Sequence, residues 1–221
     1  MNTIRGQPPG RAGRVWLRRR GEVAQRGAGL LESKLRILAA EEQRFALLVT
    51  RTERAWVAAV EEAERWMRRA VLLSGQRGLR LATDARPATV DIAWATTMGV
   101  HYPERALLHL PEPAPDAATA DNSALIQARL AYREALDTAA AHAVATAALQ
   151  AVQSEVAATR RRLRAIEKRW IPRLDEAHRR LSETLEEQER EDGVRMRRGS
   201  SRRAPGSRRA PGPSEVGGTQ A

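Results

Sequence analysis

The 221 residues predict a mainly all-α protein: a long antiparallel two-helix coiled coil with a short loop and β-hairpin insertion in the middle and disordered termini. Three observations carry that expectation. Positions from Leu31 to Leu73 repeat in alternating steps of four and three, a second such stripe occupies the C-terminal arm, and between them lies a stretch whose apolar residues alternate with period two. Steps of three and four set apolar side chains along one stripe of a helix, whereas period two sets them on one face of a strand.

Met1 to Gly13, with Pro8, Pro9 and three glycines, reads as a flexible lead-in. The first long helix is expected from about Arg14 to Leu73. Its seam runs through Leu31, Leu35, Leu38, Glu42, Phe45, Val49, Thr52, Trp56, Ala59, Ala63, Trp66, Ala70 and Leu73, in which only Glu42 and Thr52 are polar, the kind of minority seam residue that sets register. A helix of this span is roughly 90 Å long, too long for one element of a compact domain, so it needs a partner of similar length. Gly75 and Gly78 are the expected terminators.

Residues 74–121 read as the middle region. Leu79 and Leu81, then Thr89-Val90-Asp91-Ile92-Ala93-Trp94, alternate with period two, and Met98-Gly99-Val100 follows, which predicts a short hairpin. Pro111, Pro113 and Pro115 mark a loop, and Asp121-Asn122-Ser123 offers an N-cap for the second long helix. That helix is expected from about Ser123 to Asp192, with Gly193 as a fray point. Alanines from Ala135 to Ala151, Ala140 and Ala143 among them, predict close approach of the opposing helix. Its later stripe is Leu163, Ile166, Trp170, Leu174, Ala177, Leu181 and Leu185, and Pro172 within it predicts a bend, because proline cannot donate to the carbonyl of Lys168 and crowds it. Antiparallel pairing with both termini at one end sets the stretch around Leu31 against the Leu174 to Leu185 region. Beyond Gly199 one hexapeptide, Ser-Arg-Arg-Ala-Pro-Gly, occurs twice, the mark of a disordered tail.

Aromatic residues make up 4% of the chain and apolar residues 42%, too little for a large globular core. The net charge of +11 resides in the ends: residues 1–20 carry six arginines and no acid, and residues 197–221 carry six arginines and one glutamate. The body between is neutral, which argues against a nucleic-acid-reading surface as the primary role. There is no cysteine, no run of eighteen apolar residues and no hydrophobic signal core, so thiol chemistry, a membrane span and export by the usual signal are not expected. No phosphate-cradling glycine motif occurs. His101, His109, His142 and His178 lack ligand spacing, and the acidic run from Glu183 to Asp192 reads as a solvated helical face. No catalytic, metal or cofactor site is expected. Trp56, Trp66 and Trp170 sit at seam spacing and read as interhelical anchors, while Trp16 and Trp94 divide between partner contact and local packing.

At the level of motifs the chain resembles the family of D subunits of V-type and archaeal-type rotary ATPases. Thr159-Arg160-Arg161 to Glu167 is similar to that family's Thr-Arg-Arg-x-Asn-Ala-Leu-Glu, Ile171-Pro172-Arg173-Leu174 to its Ile-Pro-Arg-Leu, and Leu185 to Arg190 to its Leu-x-Glu-x-Glu-Arg. Arg26 to Lys34 resembles its Gly-x-x-Leu-Leu-Lys-x-Lys, and Met98-Gly99-Val100 followed by Pro103 resembles its Met-Gly-Val-x-x-Pro. Arg164 stands where the family has Asn, Glu32 where it has Lys, and the tail is longer. The resemblance implies a non-catalytic central-stalk rotor shaft, peripheral to the cytoplasmic face of the cell membrane through its complex. It would turn inside a ring of A and B subunits, with Trp16 near the end that enters the ring. The middle region, with Trp94, Met98, Gly99 and Val100 as candidate contacts, would lie at the far end from the termini. There it would carry the F subunit and seat in the funnel-shaped C or d subunit above the membrane rotor. A coiled-coil adaptor or scaffold with basic, nucleic-acid-binding tails is the alternative; it accounts for the heptads but not for the ordered motifs.

Overall fold

The computed structural model describes Ile4, residues 6–81, residues 86–111 and residues 122–202. In chain order the elements are helix α1 (Gly10–Leu81), strands β1 (Thr89–Thr97) and β2 (Val100–His109), helix α2 (Ser123–Ala165), a π-helical turn (Ile166–Trp170) and helix α3 (Ile171–Arg202). Two compact units are formed, one from Met1–Val23 with Ile171–Ala221 and the other from Ala24–Trp170.

In the larger unit α1 and α2 run antiparallel. Lys34 meets Glu155, Thr52 meets His142 and Ser74 meets Asn122, so partners later in α1 lie earlier in α2. The first core cluster joins Leu38 and Phe45 of α1 to Ala148, Val152 and Val156 of α2, with Val100 and Tyr102 of β2 closing it. A second joins Ala70 to Ala124, Leu125 and Ala128, with Trp66 and Leu79 packed against it. Asn122 is the N-cap of α2: its Oδ1 accepts from the Leu125 N–H at 2.8 Å, satisfying a donor the helix cannot, and its amide donates to the Ser74 hydroxyl.

Several local expectations are corrected. The N-terminal helix starts at Gly10 and continues to Leu81, broken only at Gly75 (φ 62°, ψ 179°), so Leu79 and Leu81 are helical and not strand residues. Glycine there ends one helix and allows a short second one to begin. The C-terminal helix passes through Gly193 and reaches Arg202, and residues 203–221, where most of the expected tail falls, lie outside the described residues. Of the alanines, Ala135, Ala145 and Ala148 are buried, but Ala143 is exposed and Ala140 only half-buried. The stretch around Leu31 packs about twenty residues earlier on the partner helix than expected, beside Glu155, because residues 171–202 group with the N-terminal 23 residues.

The hairpin is antiparallel, with Thr97 paired to Val100 across a two-residue turn. Met98 (φ 51°) and Gly99 (φ 80°) both adopt positive φ, as a type I′ turn demands and as the right-handed twist of the strands favours. A bulge falls where Ala93 pairs with Arg105 and Trp94 with Pro103, which leaves Glu104 unpaired and accommodates a proline that cannot donate to the ladder. β2 lies against α2, and its Tyr102 ring meets Phe45 edge-on, centroids 5.1 Å apart. The turn therefore sits beside the middle of the helix pair, about 40 Å along α1 from Ser74, and not at the loop end.

In the smaller unit Ile4, Leu17, Leu174 and Leu185 are buried. The lead-in is built into this unit: Gln7 N–H donates to the Ile4 carbonyl at 3.0 Å, and Gly10 (φ 65°) turns the chain into α1. Arg11 reaches Glu189 at 2.7 Å, and Gly13 abuts Pro8 and Leu181 so closely that a Cβ there would stand 2.1 Å from the Pro8 carbonyl oxygen.

Candidate partner-binding surface

Polar contacts between helices and exposed side chains on the hairpin are the candidate groups, and among the described residues no cluster of His, Cys, Asp and Glu could hold a metal ion. His109 pairs with Asp91 at 3.0 Å and His101 stacks on Trp94, centroids 4.9 Å apart; both are exposed surface arrangements on the hairpin. His142 stacks on Trp56 at 5.4 Å and its Nδ1 lies 3.2 Å from the Thr52 hydroxyl. Thr52 also donates to its own helix at Leu48 and Val49, so it is a polar seam residue tied to both helices. Glu42, the other polar seam position, is half-buried with no ion pair among the described residues.

The interhelical polar contact that sequence reasoning missed is Lys34 to Glu155. Nζ donates to Oε1 at 2.7 Å between side chains only 23% and 25% exposed, Thr159 donates to the same oxygen at 3.2 Å, and Arg162 stands at 3.6 Å. Thr159, opening the Thr-Arg-Arg motif, is fully buried. The donation from Lys34, reinforced by the charge of Lys34, by Thr159 and by Arg162, holds the Glu155 carboxyl below its ordinary range, against a burial effect in the opposite direction. A signal was available: Lys34 is one of two lysines among 38 cationic residues.

The seam residues divide by depth. Leu38, Phe45 and Leu174 are buried, Leu31, Trp66, Leu163, Ile166, Trp170 and Leu181 are half-buried, and Trp56 and Leu73 are exposed. Trp66 donates to Glu62 at 2.7 Å and carries the Arg69 guanidinium over its ring. Trp16, in the smaller unit, is half-buried beneath Arg20. Pro172 follows the π turn: the wider i to i+5 pattern over Ile166–Trp170 reassigns carbonyls just where proline removes a donor, and the chain stays helical on either side.

On the hairpin, Val100 is buried whereas Met98 and Gly99 are exposed. Val90, Ile92 and Trp94 alternate along β1 and are each about half exposed, forming an apolar row on the outward face. Such a row beside a helix pair is a surface that a protein partner can cover.

Across residues 15–200 the chain matches the family described as the D subunit of ATP synthase. It is 29% identical over 192 residues to the V-type ATP synthase D subunit of Thermotoga neapolitana, spanning 86% of this chain and 95% of that one. It is 31% identical over 205 residues to the V-type ATP synthase D subunit of Anaeromyxobacter sp. strain Fw109-5, spanning 89% and 94%. Against the A-type ATP synthase D subunit of Methanopyrus kandleri the figures are 29% over 186 residues, 82% and 80%.

Proposed function

The chain belongs to the family of ATP synthase D subunits, and from that premise we propose that it is the central rotor shaft of a V-type rotary ATPase, carrying torque between the ion-driven membrane rotor and a ring of nucleotide-binding A and B subunits. It is non-catalytic in this reading. The observation that carries the reading is the helix pair of the larger unit, tied across its interface at Lys34–Glu155, Thr52–His142 and Ser74–Asn122. An element that transmits torque must resist sliding of one helix on the other. Apolar seams resist separation, whereas directional polar contacts resist a register slip, since a shifted helix leaves a partly buried charge unpaired.

In this mechanism the shaft contacts the ring unequally, so its angle biases which nucleotide site is open, and nucleotide state in turn biases the angle; the coupling is reciprocal. The apolar row Val90, Ile92 and Trp94 on the hairpin supports a seat for the companion F subunit beside the middle of the helix pair, and the end of the pair where Ser74 meets Asn122 would face the funnel-shaped subunit. Among the described residues no helix is long and apolar enough to cross a membrane, so attachment would run through the complex. The test is assembly with the other subunits followed by paired assays of ATP hydrolysis and ion transport. Removing the chain from Trp170 onward is expected to uncouple the two. Full coupling by that truncation, or failure of the intact chain to co-purify with the A and B subunits, refutes the rotor reading and favours the adaptor.

A further inference from the structure

Residues 160–169 hold six cations, Arg160, Arg161, Arg162, Arg164, Lys168 and Arg169, against one carboxylate, Glu167. All six are exposed. Arg162 turns toward Glu155 at 3.6 Å, but among the described residues Arg160, Arg161, Arg164 and Lys168 have no ion pair. Arginines of α3 are treated differently: Arg179, Arg180, Arg190 and Arg195 each meet a carboxylate three or four residues away on their own helix. Arg160, Arg164 and Lys168 instead follow one another at four-residue steps, and Arg161 lies three before Arg164. Like charges at these spacings repel and weaken a helix, yet here they stand just before and within the π turn, where the backbone pattern is already irregular.

We infer that Arg160, Arg161, Arg164 and Lys168 form a docking face for a carboxylate-rich segment of a partner protein. Charge complementarity selects the chemistry. The face spans about 12 Å of helix, matching carboxylates on two or three successive turns of a facing helix. It is too short to neutralise the six to ten phosphates of a typical duplex-binding surface. No large apolar side chain exposed among these cations is available to enter a lipid surface, since Leu163 and Ile166 are half-buried and the exposed Ala165 offers only a methyl group.

The lysine content permits a direct test, because Lys34 and Lys168 are the only amino side chains of the chain and Lys34 is engaged with Glu155. Carbodiimide, which joins an amine to a carboxylate in contact, is applied to the full chain co-assembled with A and B subunits. The expected product joins Lys168 to an Asp or Glu of a partner, disappears in Lys168→Gln and falls several-fold in Arg160→Gln/Arg164→Gln. In parallel the isolated full chain is titrated with poly-L-glutamate at two salt concentrations. Neutralising all four cations to Gln is expected to weaken binding by roughly tenfold, at about a factor of two per exposed ion pair, with the loss shrinking at high salt. Neutralising Arg202, Arg203, Arg208 and Arg209 instead controls for net charge and is expected to have the smaller effect. Co-assembly without a Lys168 crosslink overturns this inference and leaves the rotor reading standing. Absence of co-assembly overturns the rotor reading, and the poly-L-glutamate comparison then decides this one. Equal losses from the two neutralised variants, or a larger loss toward phosphatidylglycerol vesicles or a DNA duplex than toward poly-L-glutamate, also overturn it.

Discussion

Removing the carboxylate of Glu155 should loosen the larger unit by an amount its surroundings allow to be bounded. The Lys34 ammonium sits 2.7 Å from Oε1, and both side chains are about three-quarters buried. An exposed pair contributes about 0 to 1 kcal/mol, and breaking a fully buried one costs about 3 to 5 kcal/mol. Glu155→Gln keeps the volume and an acceptor for Thr159 but strands a partly buried ammonium, so about 2 kcal/mol of destabilisation is expected, between those limits. Lys34→Met removes the stranded charge, and the double variant should therefore lose about 1 kcal/mol less than the sum of the singles. Urea unfolding of the full chain and the three variants, followed by circular dichroism, gives the cycle. The carboxyl is held below its unfolded value of about 4.5. A depressed acid contributes stability that is complete above the unfolded value and is lost as pH falls through the folded one. Wild type should thus lose more stability than Glu155→Gln between neutral pH and pH values under about 4.5. A coupling energy within error of zero, together with identical pH profiles, would show that the pair is incidental to the packing.

Three further outcomes are expected. Gly13→Ala places a Cβ 2.1 Å from the Pro8 carbonyl oxygen and should destabilise the smaller unit by about 1 to 3 kcal/mol, whereas Gly27→Ala meets nothing within 4 Å and should stabilise α1 by up to about 1 kcal/mol; amide hydrogen exchange near Leu17 and overall melting separate the two. Ala148→Leu, at a fully buried site, should cost about 1 to 3 kcal/mol, while the exposed Ala143→Leu should stay within about 0.5 kcal/mol of wild type, a contrast that thermal melting resolves. Met98→Gly should raise stability by a few tenths to about 1 kcal/mol because Met98 holds a positive φ; an unchanged or lowered midpoint would mean that the Met98 side chain contributes packing exceeding that strain.

The seam periodicity, the hairpin around Met98-Gly99 and the Asn122 cap are local properties, set by residues within a few positions of one another, and the chain alone determined them. Helix type follows from spacing, and the cap follows from a donor that only a nearby side chain can satisfy. Register is another matter. A heptad stripe satisfies itself at every seven-residue slip, so the stripes around Leu31 and Leu174 are compatible by spacing alone, and the contacts Lys34–Glu155, Thr52–His142 and Ser74–Asn122, with the close alanine at Ala148, choose among the alternatives. The tertiary structure likewise decided that Ala143 faces solvent, that the lead-in around Ile4 is packed, and that the hairpin turn folds back beside Phe45. The hairpin and Phe45 meet across more than fifty residues of chain, and no spacing within one element encodes such a meeting.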